Sequence, residues 1–303
     1  MMQKTEKIQR LDENRKSIMS LHIAVMLFGF SAVLGQFVDA PAVIVAGGRV
    51  VCSSILLLVS ALLSKRKIRL TRRMDYGIAV IAGIVLAIHW TTFFQSIQSS
   101  SVAIGTITFS TFPLFLTFLE PMVFHEKFQM QSLLGAAVLL LGVFITIPEF
   151  SMENQMTVGI LWGMVSSLSY AILTLFNRYL SHTYEAGTIC LYEQGTAAVV
   201  LLPTFFFVQT RWTVENIVGI AMIGLVCTAI AHSLYVAAQK KVKAQTAGII
   251  SGMETVYGIL FAMLFLGEVP GIREVIGGII ILCVAVLSSL AAARKEQKKV
   301  SAI

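Results

Sequence analysis

Stretches of about twenty apolar residues recur along this chain, near 18–37, 42–63, 75–97, 101–123, 130–148, 157–177, 186–208, 216–238, 244–266 and 271–293. A bilayer hydrocarbon core about 30 Å thick takes roughly 20 residues of α-helix to cross. Ten such windows joined by short loops define an all-α integral membrane protein of ten transmembrane helices. Composition agrees. Only 13% of the 303 residues are charged, against about 25% in a soluble domain, too little polar surface to cover a water-facing globule.

The basic residues orient the spans. With the N-terminus cytosolic, the alternating cytosolic segments hold Lys4 to Lys16, the Lys65 to Arg73 loop, Lys127, Arg178, Lys240, Lys241 and Lys243, and Arg294 to Lys299. These are 20 of the 23 Lys and Arg residues; Arg211 and Arg273 fall outside and Arg49 lies within a span. That is the positive-inside pattern, and removing or adding a central span would strand KKVK on the wrong side. Residues 1–17 and 294–303 are therefore cytosolic tails. The 1–17 segment lacks a small-residue cleavage site and reads as a tail before an uncleaved span. The net charge of +7 sits in loop clusters rather than along one polar face, which argues against nucleic acid as a partner. Cys52, Cys190, Cys227 and Cys283 lie far apart in apolar runs without metal-ligand spacing, and read as buried thiols.

Two segments share a layout. HWTTFFQSIQSSSVAIGTITFSTFPLFLTFLEPMVFHEKF and AHSLYVAAQKKVKAQTAGIISGMETVYGILFAMLFLGEVP each run from a His through a short polar turn of small residues into a further span. Each closes on a Glu, Glu126 or Glu268, followed by a Gly at matching distance, Gly135 or Gly277. Five spans per half place the halves upside down to each other, as in secondary transporters built from inverted repeats, whose substrate site lies near the midplane.

With His89-Trp90, the SSSVAIG turn, Pro113 and His125-Glu126 in one half, and KAQTAG, Glu254 and Leu266-Gly267-Glu268 in the other, residues 18 to 293 resemble the EamA type of the drug/metabolite transporter (DMT) superfamily. The resemblance implies two five-helix repeats, 18–148 and 157–293, around a central cavity, with the fifth and tenth helices peripheral and at a homodimer contact. It implies a multi-pass protein of a bacterial cytoplasmic membrane that moves small polar or amphipathic metabolites, often exporting amino acids or related compounds. One departure is visible. The family often has Pro after the second-half Glu, whereas Thr255 follows Glu254 here and Glu120-Pro121 stands in the fourth span.

Intramembrane polar residues are costly, about 2.5–3.5 kcal/mol for a central charge on insertion scales, so each needs a partner or a wet cavity. Glu254 lies about ten residues into the ninth span and reads as a cavity group for a cationic moiety or a proton. Tyr257, at the i+3 position, shares its face, and a ring beside a carboxylate can cradle an organic cation. Glu193 in the seventh span and Arg49 in the second divide evenly between cavity lining and a structural pair. His89, ahead of Trp90, reads as cavity-facing and suits a proton-linked step, whereas His232 reads as a packing residue. Trp90, Tyr170 and Tyr257 supply walls. Glu126 and Glu268 read as stabilising the N-terminus of the helix that follows each, Glu120 as a solvated helix end, and Gly248/Gly252 as a close-packing step.

No phosphate-binding loop, H-E-x-x-H, nucleophile elbow or aspartate group appears, so the sequence points to neither cofactor nor metal nor enzyme. The expectation is a secondary transporter working by alternating access on an amino acid or organic amine, with Glu254, Glu193, Arg49, His89, Trp90, Tyr170 and Tyr257 at its site. The alternatives are a lipid-modifying membrane enzyme and a non-transporting scaffold or sensor.

Overall fold

A computed structural model of the chain describes residues 2–124, 130–146, 151, 153–239 and 244–301, all helix or short connections, with no strand among the described residues. The helices are α1 (Met2–Phe37), α2 (Ala42–Leu63), α3 (Arg73–Ser99), α4 (Val102–Phe109), α5 (Phe112–Phe124), α6 (Met130–Thr146), α7 (Gln155–Ser181), α8 (Ala186–Leu201), α9 (Thr204–Phe207), α10 (Val214–Gly224), α11 (Ala231–Gln239), α12 (Ala244–Phe265) and α13 (Ile272–Ser301). A π-helical turn, Leu225–Ile230, joins α10 to α11. Among the described residues seven helical stretches are long and apolar enough to cross a membrane, from Lys16–Phe37 to Val214–Ala238, and Ile250–Phe265 is a shorter apolar one. The fifth, ninth and tenth sequence windows fall on α6, α12 and α13. His125, Glu126, Lys127 and the KKVK segment lie outside the described residues, as do the Glu120 side chain and the surroundings of Gly248.

The fourth window is broken. α4 stops at Phe109 and α5 begins at Phe112, with Pro113 unable to donate a backbone bond. Ser110 N and Thr111 N reach Thr106 O and Thr108 O at 3.0 and 3.1 Å, Pro113 leaves Phe109 O without its helical donor, and hydroxyls bond to all three. Thr106 O accepts from Thr255 Oγ1 at 3.0 Å, Thr108 O from Thr111 Oγ1 at 2.7 Å, and Phe109 O from Ser167 Oγ at 3.1 Å. The ninth window, by contrast, is the continuous helix α12, since Thr255 keeps the N–H that a Pro would lack.

α3 lies along α7, α1 along α12, and α8 packs on both α2 and α3; α7 also carries α4 and α5, α1 carries α10 and α11, and α6 pairs with α13. Small residues set the closest approaches. A Cβ at Gly163 would fall 2.8 Å from Thr108 Cβ and 3.0 Å from Ser96 Oγ. The Gly252 face that the sequence singles out is looser, its Cβ meeting only Leu282 at 3.9 Å. Phe144, Phe206, Leu264 and Ile279 are exposed on outer faces, whereas Ser53, Thr106, Ser166 and Ser167 are buried. A water-soluble bundle does the reverse. At the end of α3 beside the Lys65 to Arg73 loop, buried Asp75 accepts from Tyr184 Oη at 2.6 Å and Tyr179 Oη at 3.3 Å, tying α3 to α7 and the loop that follows α7.

Candidate functional site

α1, α2, α3, α4, α7, α11 and α12 converge on a cavity of about 480 Å³, its open mouth included. Arg49, His89, Trp90, Tyr170 and Glu254 line it together with Phe28, Ser31, Leu86, Phe93, Phe109 and His232. Five of the seven residues singled out in the sequence therefore meet in one place, although they are spread over about two hundred positions of the chain.

Arg49 is 3% exposed and fixed from two sides. Its guanidinium stands 4.1 Å over the Trp90 ring and 5.2 Å from Phe94, and its Nε donates to Thr228 Oγ1 at 2.9 Å. Thr228 lies in the π turn and donates to Ile223 O, five residues back, at 2.8 Å. A π turn of this kind inside an α-helix marks functional sites in many proteins; here its threonine is the acceptor that holds Arg49. Stacking on a desolvated ring contributes about 2 kcal/mol or more.

His89 is anchored on α7. Its Nδ1 lies 2.9 Å from Ser166 Oγ and 3.1 Å from Ser166 O, and donation to that carbonyl leaves Nε2 as the ring's acceptor. Tyr170 and Phe109 pack against the imidazole at centroid distances of 5.0 and 5.3 Å. Glu254 sits where α1 comes closest to α12: a Cβ at Gly29 would fall 2.9 Å from the Glu254 carbonyl and 2.7 Å from Gly258 N. The next residue, Thr255, is fully buried against α4, so Glu254 alone of that pair turns to the cavity.

Two expected residues lie elsewhere. Tyr257 does share a helix face with Glu254, but its hydroxyl is 3.3 Å from His22 Nδ1 and it packs against the apolar cluster that contains Leu21, Val25 and Ile250, outside the cavity lining. Glu193 does not line the cavity. It is fully buried one layer out, with Oε2 3.7 Å from Nε2 of His232, which is itself a wall residue as well as a packing partner of Trp90 and Phe28. Glu268 corrects another expectation: instead of serving the following helix it accepts from Val102 N at 3.1 Å, the first N–H of α4. Of the wall residues the sequence reading passed over, Ser31 carried a signal as the lone hydroxyl in FGFSAVLGQF; Phe28, Leu86, Phe93 and Phe109 are indistinguishable in sequence from lipid-facing residues.

One cation, one carboxylate, two imidazoles and five aromatic rings thus face a single cavity. Such walls accept a small molecule with an apolar body and one or both signs of charge. Among the described residues no three His, Cys, Asp or Glu side chains group as a metal site would need.

The EamA-like transporter family matches this chain twice, over residues 15–147 and 157–290. An uncharacterized transporter of Archaeoglobus fulgidus is 27% identical over 206 residues, covering 68% of this chain and 72% of its own. The transporter YxxF of Bacillus subtilis is 20% identical over 270 residues, 88% of this chain and 86% of its own. The inner membrane transporter YicL of Salmonella typhimurium is 23% identical over 306 residues, 95% of this chain and 99% of its own. A crystal structure at 14% identity superposes with a TM-score of 0.66 over 93% of this chain and 99% of its own, a likeness of fold. With family matches spanning nearly the whole chain and a cavity lined by charged and aromatic residues inside an apolar-surfaced bundle, this multi-pass membrane protein belongs to the EamA-like transporter family of the DMT superfamily.

Proposed function

We propose that the protein is a secondary transporter that exports a small metabolite bearing an amine, an amino acid or an organic cation, across the cytoplasmic membrane. The observation that carries this reading is the cavity itself, in which Glu254 and Arg49 offer opposite charges between the rings of Trp90, Tyr170, Phe93 and Phe109. The carboxylate takes the amine, the guanidinium takes a carboxylate where the substrate has one, and the rings take its apolar body. His89 completes the polar lining.

Transport proceeds by alternating access, the two halves 18–148 and 157–293 rocking about this cavity as inverted repeats. The packing supports that division. Under exchange of each helix with the one five spans on, the contact of α1 with α12 becomes that of α7 with α4 and α5. The contact of α3 with α7 becomes that of α10 and α11 with α1, and the pairs α2–α8 and α6–α13 map onto themselves. Both termini are cytosolic on the distribution of Lys and Arg. The exposed apolar faces of α6 and α13, Phe144 and Ile279 among them, form the homodimer contact.

Counterflow in proteoliposomes, screened across amino acids, organic amines and quaternary ammonium compounds, tests the reading. Glu254→Gln and Arg49→Ala each abolish uptake of the substrate so found, and His89→Ala weakens it. Unchanged uptake in all three would sink the site assignment.

A further inference from the structure

A second polar group lies one layer outside the cavity. Glu193 on α8 is fully buried, and its carboxylate oxygens make no hydrogen bond within 3.5 Å, with Asn177 on α7 and His232 on α11 as their polar neighbours. The nearest cationic candidate is His232 on α11, whose Nε2, also without a hydrogen bond, is 3.7 Å from Glu193 Oε2. On its other side the His232 ring is part of the cavity wall, edge-on to Trp90 at a centroid distance of 6.3 Å. Gln194, next along α8, is buried with both amide atoms unpartnered, so the region is polar beyond what folding requires.

Counting protons identifies what this pair holds. A neutral acid beside a neutral imidazole and a carboxylate beside an imidazolium contain the same single proton, and both are electrically balanced. Removing that proton leaves a bare carboxylate away from water, which is strongly disfavoured unless another cation comes near. The nearest place for such a cation is the cavity, one imidazole's width away.

We propose that Glu193 and His232 form a proton-binding site in the cavity wall whose single proton is exchanged for the cationic group of a bound substrate. This rests on the reading of the cavity as the substrate site, and it places the proton outside that site rather than on Glu254 or His89. Glu254 shares its cavity with the fixed cation Arg49, and His89 is engaged through Nδ1 with Ser166. Cys190 on α8 and His89 on α3 interact with His232, and Asn177 and Tyr170 on α7 with Glu193; Arg49 on α2 and Glu254 on α12 share the cavity with His232, Tyr235 on α11 neighbours Tyr170, and α1 presents the Phe28 ring. As an ammonium group enters, the proton leaves through the imidazole to water at the cavity mouth; as it departs, a proton returns. One positive charge replaces another, and the pair couples substrate movement to proton movement in the opposite direction.

The test uses the full-length protein in detergent with phenethylammonium chloride as the probe. Infrared difference spectra between the cation-bound and ligand-free protein show a buried carboxyl or carboxylate band that changes on binding, is absent in Glu193→Gln and shifts in His232→Asn. Tryptophan fluorescence reports occupancy beside Trp90 and a weakly buffered indicator reports protons. The wild type releases about one proton per cation bound and binds more weakly as the pH falls; Glu193→Gln binds without release and without that pH dependence. Cation binding that leaves the Glu193 band unchanged, or that releases no proton, overturns the proposal. Its failure differs from failure of the cavity reading: transport would remain sensitive to Glu254→Gln and Arg49→Ala but be indifferent to a proton gradient.

Discussion

The hydroxyl of Thr255 donates to the Thr106 carbonyl across 3.0 Å, joining α12 to the end of α4 directly behind the cavity. Thr106 O also accepts from Ser110 N at 3.0 Å, and the Thr255 hydroxyl meets that of Ser110 as well. The residue at which this sequence departs from the family's usual Pro thus braces the end of α4 just before its break. α12 runs unbroken through Thr255, and the interrupted helix is the fourth window, between α4 and α5.

Replacing Thr255 by Val keeps the shape and removes the donor. Thr255→Val lowers stability by about 1 kcal/mol, read as a lower melting temperature in detergent, while Thr255→Ser retains most of it. An unchanged melting temperature for Thr255→Val would show that the hydroxyl is dispensable.

Gly29 and Gly252 give opposite outcomes. The methyl of Gly29→Ala meets backbone atoms of α12 at 2.7 and 2.9 Å, which cannot yield as a side-chain end does, so α1 moves and about 1–3 kcal/mol is lost. Gly252→Ala meets only Leu282 at 3.9 Å and gains up to about 1 kcal/mol from the reduced freedom of the unfolded chain. Thermal melts of the two variants, with substrate binding measured beside them, decide this.

Arg49 depends on a planar fork rather than on charge alone. Arg49→Lys preserves the charge but loses the 4.1 Å stack on Trp90 and the Nε bond to Thr228. Transport falls by tenfold or more, about 1.4 kcal/mol in binding terms, and the emission of Trp90 shifts. Equal transport by the wild type and by Arg49→Lys would reduce the residue to a point charge.

Glu268 lies in the loop between α12 and α13, outside the spans, and its half-burial raises its pKa above the ordinary 4.5, opposed by the hydrogen bond from Val102 N. A carboxyl whose pKa is raised on folding favours the folded state at low pH and gives that stability up as the pH rises from 4.5 through the shifted value. The wild-type melting temperature therefore carries a component that declines over this interval, and Glu268→Gln removes the decline. A melting profile with the same slope in both proteins counts against it.

The apolar windows, the charge of the loops and the resemblance between halves are local in sequence, and so the membrane class, the helix positions and the family could be read directly from the chain. Arg49, His89, Trp90, Tyr170 and Glu254 could be picked out for the same reason, because a polar or amphipathic side chain in an apolar run is conspicuous without knowledge of its neighbours. His232 was equally conspicuous, yet nothing local distinguishes a packed histidine from one in a cavity wall. The π turn and the α4–α5 break were also hidden, since the one is met by Arg49 from α2 and the other by hydroxyls from α7 and α12.

By itself the sequence determined the solvent this protein lives in, because twenty apolar residues are stable as a helix in lipid and not as an exposed helix in water. Only the tertiary structure decided which polar groups face the cavity and which stand behind it. Glu193 and Glu254 are alike in sequence, each a carboxylate inside a span. The packing of α8 behind α11 and of α12 against α1 sets one behind His232 and the other in the cavity with Arg49. Depth along a helix is written in the chain, but the direction a side chain faces is fixed by what packs against the helix.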